Sequence, residues 1–354
     1  MFYCRAFSPS SIGINYFGHN RYKGSVFSLH NWAKFLAKNR YHVKYYISMI
    51  NNLFNSHVYL YTSWLGVNYN NIFGFILFVL FIIQFITGLL LSFYYSSFIS
   101  LSFNSIFYII FDINLGYIFR LLHLIGSFLF IFFIYFHFLR YLWLSINSLQ
   151  IYRTIVYSSN FNLIYISGII ILFLSLIISF IGYCLIWGQM SMWGIIVILN
   201  IFTILPYPLS ILIFELIYCS SYLIIYRFFI LHFSLSFILL FFIFLHLFIL
   251  HIYTSTNPLF NFNSSWINNF YLIIIKDFYL FIIFYGMFLI YILFFNYEFL
   301  SNPINNVIAN PLSTPLHILP EPYFLLIYCI LRSLPSKIYG IIVILCFFYL
   351  ILFG

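Results

Sequence analysis

Four histidines fall into two pairs with one interval. His123 and His137 lie in RLLHLIGSFLFIFFIYFHFLR, and His232 and His246 in RFFILHFSLSFILLFFIFLHLFILH, fourteen residues apart in each pair. At 3.6 residues per turn, fourteen steps fall about 40° short of four turns, so on a helix both members share a face, about 21 Å apart. A single histidine in an apolar helix is ordinarily a packed or hydrogen-bonded residue, yet ionisable groups inside a membrane mark function by default. If the two helices run parallel, His123 faces His232 at one depth and His137 faces His246 at the other. Facing imidazoles are the axial ligands of a haem iron. Two of them close the iron to substrate and favour electron transfer. The expected metal ligands are therefore His123, His137, His232 and His246, holding two haems.

The same interval recurs in glycine. Gly74 and Gly88 are fourteen apart, as are Gly168 and Gly182. Missing side chains let a flat macrocycle approach a helix backbone, and small-residue helix packing is the competing explanation. Arg120 and Arg227 precede the two His segments and Arg140 follows His137. These arginines suit haem propionates, or plain interfacial snorkelling.

The elements that must carry these residues are membrane helices. The 354-residue chain is 65% hydrophobic and 5% charged, against roughly 25% charged in soluble domains. Runs long enough for a bilayer (roughly 20 residues) lie near 72–95, 117–142, 163–185, 228–252, 271–296 and 338–353. Backbone groups in lipid must be satisfied internally, so these six spans are helices. The strand alternation of a membrane barrel is absent. The expected fold is an all-α polytopic bundle, with haems between the second and fourth spans. Five cysteines form no C-x-x-C pair, which disfavours thiolate metal sites, disulfide frameworks and covalent haem attachment.

The net charge of +9 does not signal nucleic acid. Seven of the fourteen Lys and Arg residues precede residue 45, and no acid appears before Asp112. Residues 1–43 read as a basic extension with transit-peptide composition, retained at the membrane surface. With the N-terminus on the negative side, that side holds ten Lys and Arg against four opposite, as the positive-inside rule requires. The second and fourth spans then run parallel. Heavy use of Phe, Tyr, Ile, Leu and Asn suggests an AT-biased, organelle-like genome.

Longer strings carry a resemblance. GYCLIWGQMSMWG (182–194), RFFILHF (227–233), ANPLSTPLHILPEPYF (309–324) and ILRSLPSK (330–337) combine with Gln84, Thr87-Gly88 and the two His pairs. Together they resemble the cytochrome b family of respiratory ubiquinol–cytochrome c oxidoreductase, mitochondrial complex III, over residues 44–354. The resemblance implies a surface helix over 44–66, a dihaem four-helix part over 67–260 and a quinone-site part over 261–354. It implies two non-covalent b haems, ubiquinol and ubiquinone as substrates, and a mitochondrial inner membrane location. Implied partners are a Rieske iron–sulfur protein, cytochrome c1 and other complex III subunits in a homodimer, with bound lipid.

Within that resemblance Glu321 matches the acid that takes a quinol proton on the positive side. Tyr183 and Tyr328 match wall positions there. On the negative side His251, Ser255, Lys276 and Asp277 match the quinone-reduction site. By residue type alone Glu321 is a solvated loop acid and His251 an interfacial histidine. His317 matches a structural motif position; His19, His30, His42 and His57 offer no ligand geometry. Ile186 stands where proline is usual, and Pro322 where tryptophan is usual. Family members usually have eight spans, so the missing two are expected on a separate polypeptide, replaced by a partner, or lost. The rival readings are another bis-histidine dihaem quinone oxidoreductase, and a haem-free transporter or proton-channel subunit.

Overall fold

The computed structural model describes Ser48 and residues 51–52, 63–64, 72–152, 159–203, 206–208, 210–211, 215, 223–253, 266–267, 270–295 and 302–353. The basic extension 1–43 and most of the expected surface helix 44–66 lie outside them.

Nine α-helices are described: α1 Phe73–Ser92, α2 Ile99–Phe111, α3 Gly116–Tyr152, α4 Ser159–Cys184, α5 Gln189–Phe202, α6 Ile224–Tyr253, α7 Phe270–Phe295, α8 Leu325–Ser333 and α9 Lys337–Phe353. Five of them (α1, α3, α4, α6 and α7) are long and apolar enough to cross a membrane. The expected sixth, α9, is an apolar helix of 17 residues, about 26 Å at 1.5 Å per residue. Helix α3 continues ten residues beyond the expected 142. Leu142, Trp143 and Leu144 keep helical propensity while Asn147 and Gln150 end the apolar run, so hydropathy stops before the helix does. A two-residue antiparallel ladder, Ser63–Trp64 with Trp266–Ile267, ties the approach to α1 to the approach to α7.

Packing is strongest within two helix pairs, α1 with α3 and α4 with α6. Helix α6 is hydrophobic all round, as expected for a helix with lipid on one side and protein on the other. Phe241, Phe244 and Phe248 are exposed on it, whereas Leu239 and Ile243 are buried. Each of the four helices buries aliphatic side chains between its two fourteen-spaced residues. These are Ile76 and Leu80 on α1, Ile125, Leu129 and Ile131 on α3, Leu172 and Leu176 on α4, and Leu239 and Ile243 on α6. A single apolar layer therefore separates the upper and lower polar positions.

A second apolar cluster joins Ile181, Cys184 and Leu185 to Ile195 and Leu199 on α5 and to Ile225 and Phe228 on α6. It brings the α4–α5 turn against the start of α6. That turn is tied in turn to the segment before α8. Gln189 N donates to Val307 O at 2.9 Å and Ala309 N to Trp187 O at 3.3 Å. Ser191 N donates to Asn305 Oδ1 at 3.0 Å, and Asn310 N to Gln189 Oε1 at 2.6 Å. Gly188 is required here: a Cβ would come within 2.2 Å of Asn305 O. Trp187 before it has φ 53°, a left-handed conformation that costs a non-glycine residue roughly 1–2 kcal/mol. The ties to Ala309, Val307 and Asn305 hold it there.

Candidate functional site

The histidine and glycine intervals meet in two tiers. A Cβ on Gly88 would lie 2.9 Å from His123 Cε1, and one on Gly182 2.7 Å from His232 Cε1. At the other tier the distances are 3.6 Å from Gly74 to His137 Cε1 and 3.5 Å from Gly168 to His246 Cε1. Each glycine therefore admits the imidazole of the helix packed on it. Because His123 pairs with Gly88 and His137 with Gly74, α1 and α3 are antiparallel, and the same holds for α4 and α6.

The two imidazoles of the first tier face each other across the bundle. The ring centres of His123 and His232 are 6.3 Å apart, with planes at 76°. Two imidazoles bound through Nε2 to opposite sides of one metal have centres roughly 6 Å apart, given a metal–nitrogen bond of about 2 Å and the ring's bond lengths. His137 and His246 lie within electrostatic reach of each other at the second tier. Helices α3 and α6 thus run parallel, as expected for the second and fourth of alternating spans.

Hydrogen bonds settle which ring nitrogen is free. Thr87 Oγ1 donates its one proton to Ile83 O at 2.7 Å, so its contact with His123 Nδ1 at 3.0 Å must be a donation from the ring. Ser167 Oγ likewise donates to Ile164 O at 2.8 Å and accepts from His246 Nδ1 at 2.8 Å. His232 Nδ1 faces the carbonyl of Ile178 at 3.0 Å, to which it can only donate. Three rings therefore carry the proton on Nδ1 and present the Nε2 lone pair, the form a metal takes. His137 Nδ1 is buried with no hydrogen-bond partner among the described residues. Neither Thr87 nor Ser167 had been marked as a histidine partner from sequence. The available signal is a hydroxyl residue directly before a glycine of the fourteen-residue set.

A cavity of about 230 Å³ opens on the first tier, lined by Gln84, Gly88, Arg120, His123, Gly182, Tyr183, His232, Glu321 and Tyr323 among others. Gln84 Nε2 donates to His123 O at 2.7 Å. Its Oε1 is buried without a partner among the described residues. Glu321 is half-buried rather than a solvated loop acid. Burial pushes its carboxyl up to about 7, so near neutrality it exchanges a proton readily. Tyr323 stays a phenol, raised by burial and by the nearby Glu321. Its carbonyl accepts from Tyr135 Oη at 3.1 Å. Pro322 opens a 3-10 turn, Pro322–Phe324, at a first position whose missing N–H leaves no bond unmade.

Other expected site residues are placed differently. Tyr328 is not among the residues lining this cavity; its hydroxyl accepts from Arg332 Nη1 at 3.0 Å. Arg227 Nη1 donates to Glu215 O at 2.9 Å, while Arg120 reaches the cavity wall. Arg140 lies one turn beyond His137 on α3. His251 occupies the last turn of α6. Lys276 and Asp277 lie on α7 and pair at 3.7 Å. Ser255 lies outside the described residues. No cluster of three or more His, Cys, Asp or Glu occurs among the described residues, so the metal-binding capacity there rests on the imidazole pairs.

Fold and site define a class: polytopic helical membrane proteins built around paired imidazoles in two tiers. The chain belongs to the cytochrome b/b6 family. The profile described as cytochrome b/b6/petB matches residues 58–254, and that described as cytochrome b (C-terminal)/b6/petD matches 308–353. Cytochrome b of Chondrus crispus is 33% identical over 296 residues, covering 82% of this chain and 74% of the relative. Cytochrome b of Apis mellifera ligustica is 37% identical over 294 residues, with 81% and 72% covered. A structure titled hyperthermophilic respiratory Complex III aligns with TM-score 0.73 and 25% identity, covering 86% of this chain and 79% of that one. The family implies haem b binding.

Proposed function

We propose that this chain is the dihaem subunit of a respiratory quinol–cytochrome c oxidoreductase. Ubiquinol would be oxidised on the positive side and quinone reduced on the negative side, with proton translocation. The observation that carries this reading is the first tier: two facing imidazoles 6.3 Å apart, with Nε2 left free by the bonds of Nδ1. His123 and His232 would hold one haem and His137 and His246 the other. Gly88, Gly182, Gly74 and Gly168 seat the ligands, and Arg120, Arg140 and Arg227 serve the propionates. Bound haem supplies one-electron transfer at each tier.

At the cavity, Glu321 accepts a quinol hydroxyl proton on its carboxylate and delivers it to the adjacent water phase, while Tyr183 and Tyr323 wall the ring. On the other side His251, Ser255, Lys276 and Asp277 bind quinone, with His251 and Asp277 as proton donors. A Rieske iron–sulfur protein and cytochrome c1 take one electron of each quinol, and the other crosses the membrane to the quinone side. The complex is a homodimer in the mitochondrial inner membrane.

A reduced-minus-oxidised spectrum of the purified complex tests the haem reading. Two b-type components are expected, and their absence from this chain would sink it. Glu321 supplies a second test. Its carboxylate form is populated above pH about 7, so quinol oxidation should rise with pH through that value. Glu321→Gln should remove the inflection and lower turnover on the order of 10²-fold, the usual contribution of a general base. An unchanged pH profile in the variant would exclude Glu321 as the base.

A further inference from the structure

Thr87 and Ser167 are 4% exposed and make the same pair of contacts. Each hydroxyl donates backwards along its own helix, Thr87 to Ile83 O and Ser167 to Ile164 O. Each then accepts from a histidine on the neighbouring helix, His123 and His246. Back-bonding by itself is ordinary behaviour for Ser and Thr in apolar helices and needs no function. It does not account for a second, inter-helix contact at 3.0 Å and 2.8 Å. Position reinforces the point. Each hydroxyl residue directly precedes the glycine that admits the same ring, Gly88 for His123 and Gly168 for His246. Glycine sets where the ring sits, and the neighbouring hydroxyl sets where its proton sits.

We propose that Thr87 and Ser167 are positioning residues that set the electron affinity of the two tiers, each acting through one histidine Nδ1, a role that rests on the haem assignment above. An acceptor on Nδ1–H raises the basicity of Nε2. A more basic axial nitrogen stabilises the oxidised iron and lowers its reduction potential. Burial strengthens the effect, because a hydrogen bond in low dielectric is electrostatically stronger than in water. The tiers are not equivalent. The first has two such acceptors, Thr87 Oγ1 and the Ile178 carbonyl. At the second, His246 has Ser167 while His137 Nδ1 has none among the described residues.

Potentiometric titration of the two b components in the intact complex tests this. Thr87→Val should shift only the first-tier component toward reduction, by roughly tenfold in its one-electron equilibrium, equivalent to 59 mV. Ser167→Ala should shift only the second-tier component in the same direction. Thr87→Ser keeps the acceptor and should return the wild-type midpoint. Two intact components with unmoved midpoints in Thr87→Val overturn the proposal, as does an equal shift of both. If Thr87→Val fails to retain first-tier haem, Thr87→Ser decides: a wild-type midpoint supports the role and a Val-like defect overturns it. Failure of the haem reading is separate, since the unmodified complex would then show no b components to titrate.

Discussion

His232→Ala is expected to abolish one of two b-type spectral components and to leave the other at full amplitude. His232 and His123 face each other at 6.3 Å in the first tier, while His137 and His246 occupy the second. Removing one imidazole takes away one of the two groups that would hold that haem, and the remaining one cannot cross the bundle to replace it. His123→Ala should delete the same component as His232→Ala. His137→Ala and His246→Ala should both delete the other one. Low-temperature spectra of the four variants give the check. If His123→Ala and His232→Ala remove different components, or neither removes any, the tier assignment is wrong. The prediction is large because a ligand is lost outright, and it is specific because the apolar layer of Leu80, Leu129, Leu176 and Leu239 separates the tiers.

Alanine at the four glycines should divide by tier. A Cβ at Gly182 would stand 2.7 Å from His232 Cε1, and one at Gly88 2.9 Å from His123 Cε1. Neither ring can retreat freely. His232 is tied to Ile178 O and His123 to Thr87, and each has the other across the bundle. Gly182→Ala and Gly88→Ala should therefore displace the ligand and lose, or broaden and shift, the first-tier component. At Gly74 and Gly168 the corresponding distances of 3.6 Å and 3.5 Å are ordinary van der Waals contact. Alanine there should leave both components in place. The same spectra read all four variants, and equal damage at both tiers would show that these glycines serve helix packing in general.

The histidine and glycine positions were legible because helical periodicity turns an interval of fourteen into a shared face. Span locations were equally plain for α1, α4, α6 and α7, where hydropathy and helix end together. Helices α2 and α5 were not anticipated. With 13 and 14 residues they are too short to register as spans. Thr87 and Ser167 escaped as partners because a hydroxyl on an apolar helix carries no mark of what lies on the next helix. The burial of Glu321 was hidden for a related reason. It depends on the 302–324 segment folding over α4, a contact between residues more than a hundred positions apart, which no local pattern reports. Tyr183 could be placed near Glu321 by resemblance, whereas Tyr328 is turned to Arg332.

The ties between residues 187–191 and 305–310 also bear on the order in which the protein is made. All four helices carrying the histidines and their glycines are complete once the chain has reached Tyr253. The wall bearing Glu321 and Tyr323 arrives some seventy residues later, and it is fastened to the α4–α5 turn by contacts that cannot exist before then. A ribosome-bound chain stopped between these points would already possess both histidine tiers without the wall that closes the cavity. Formation of the tiers and closure of the cavity are thus separable in time, with the tiers possible first.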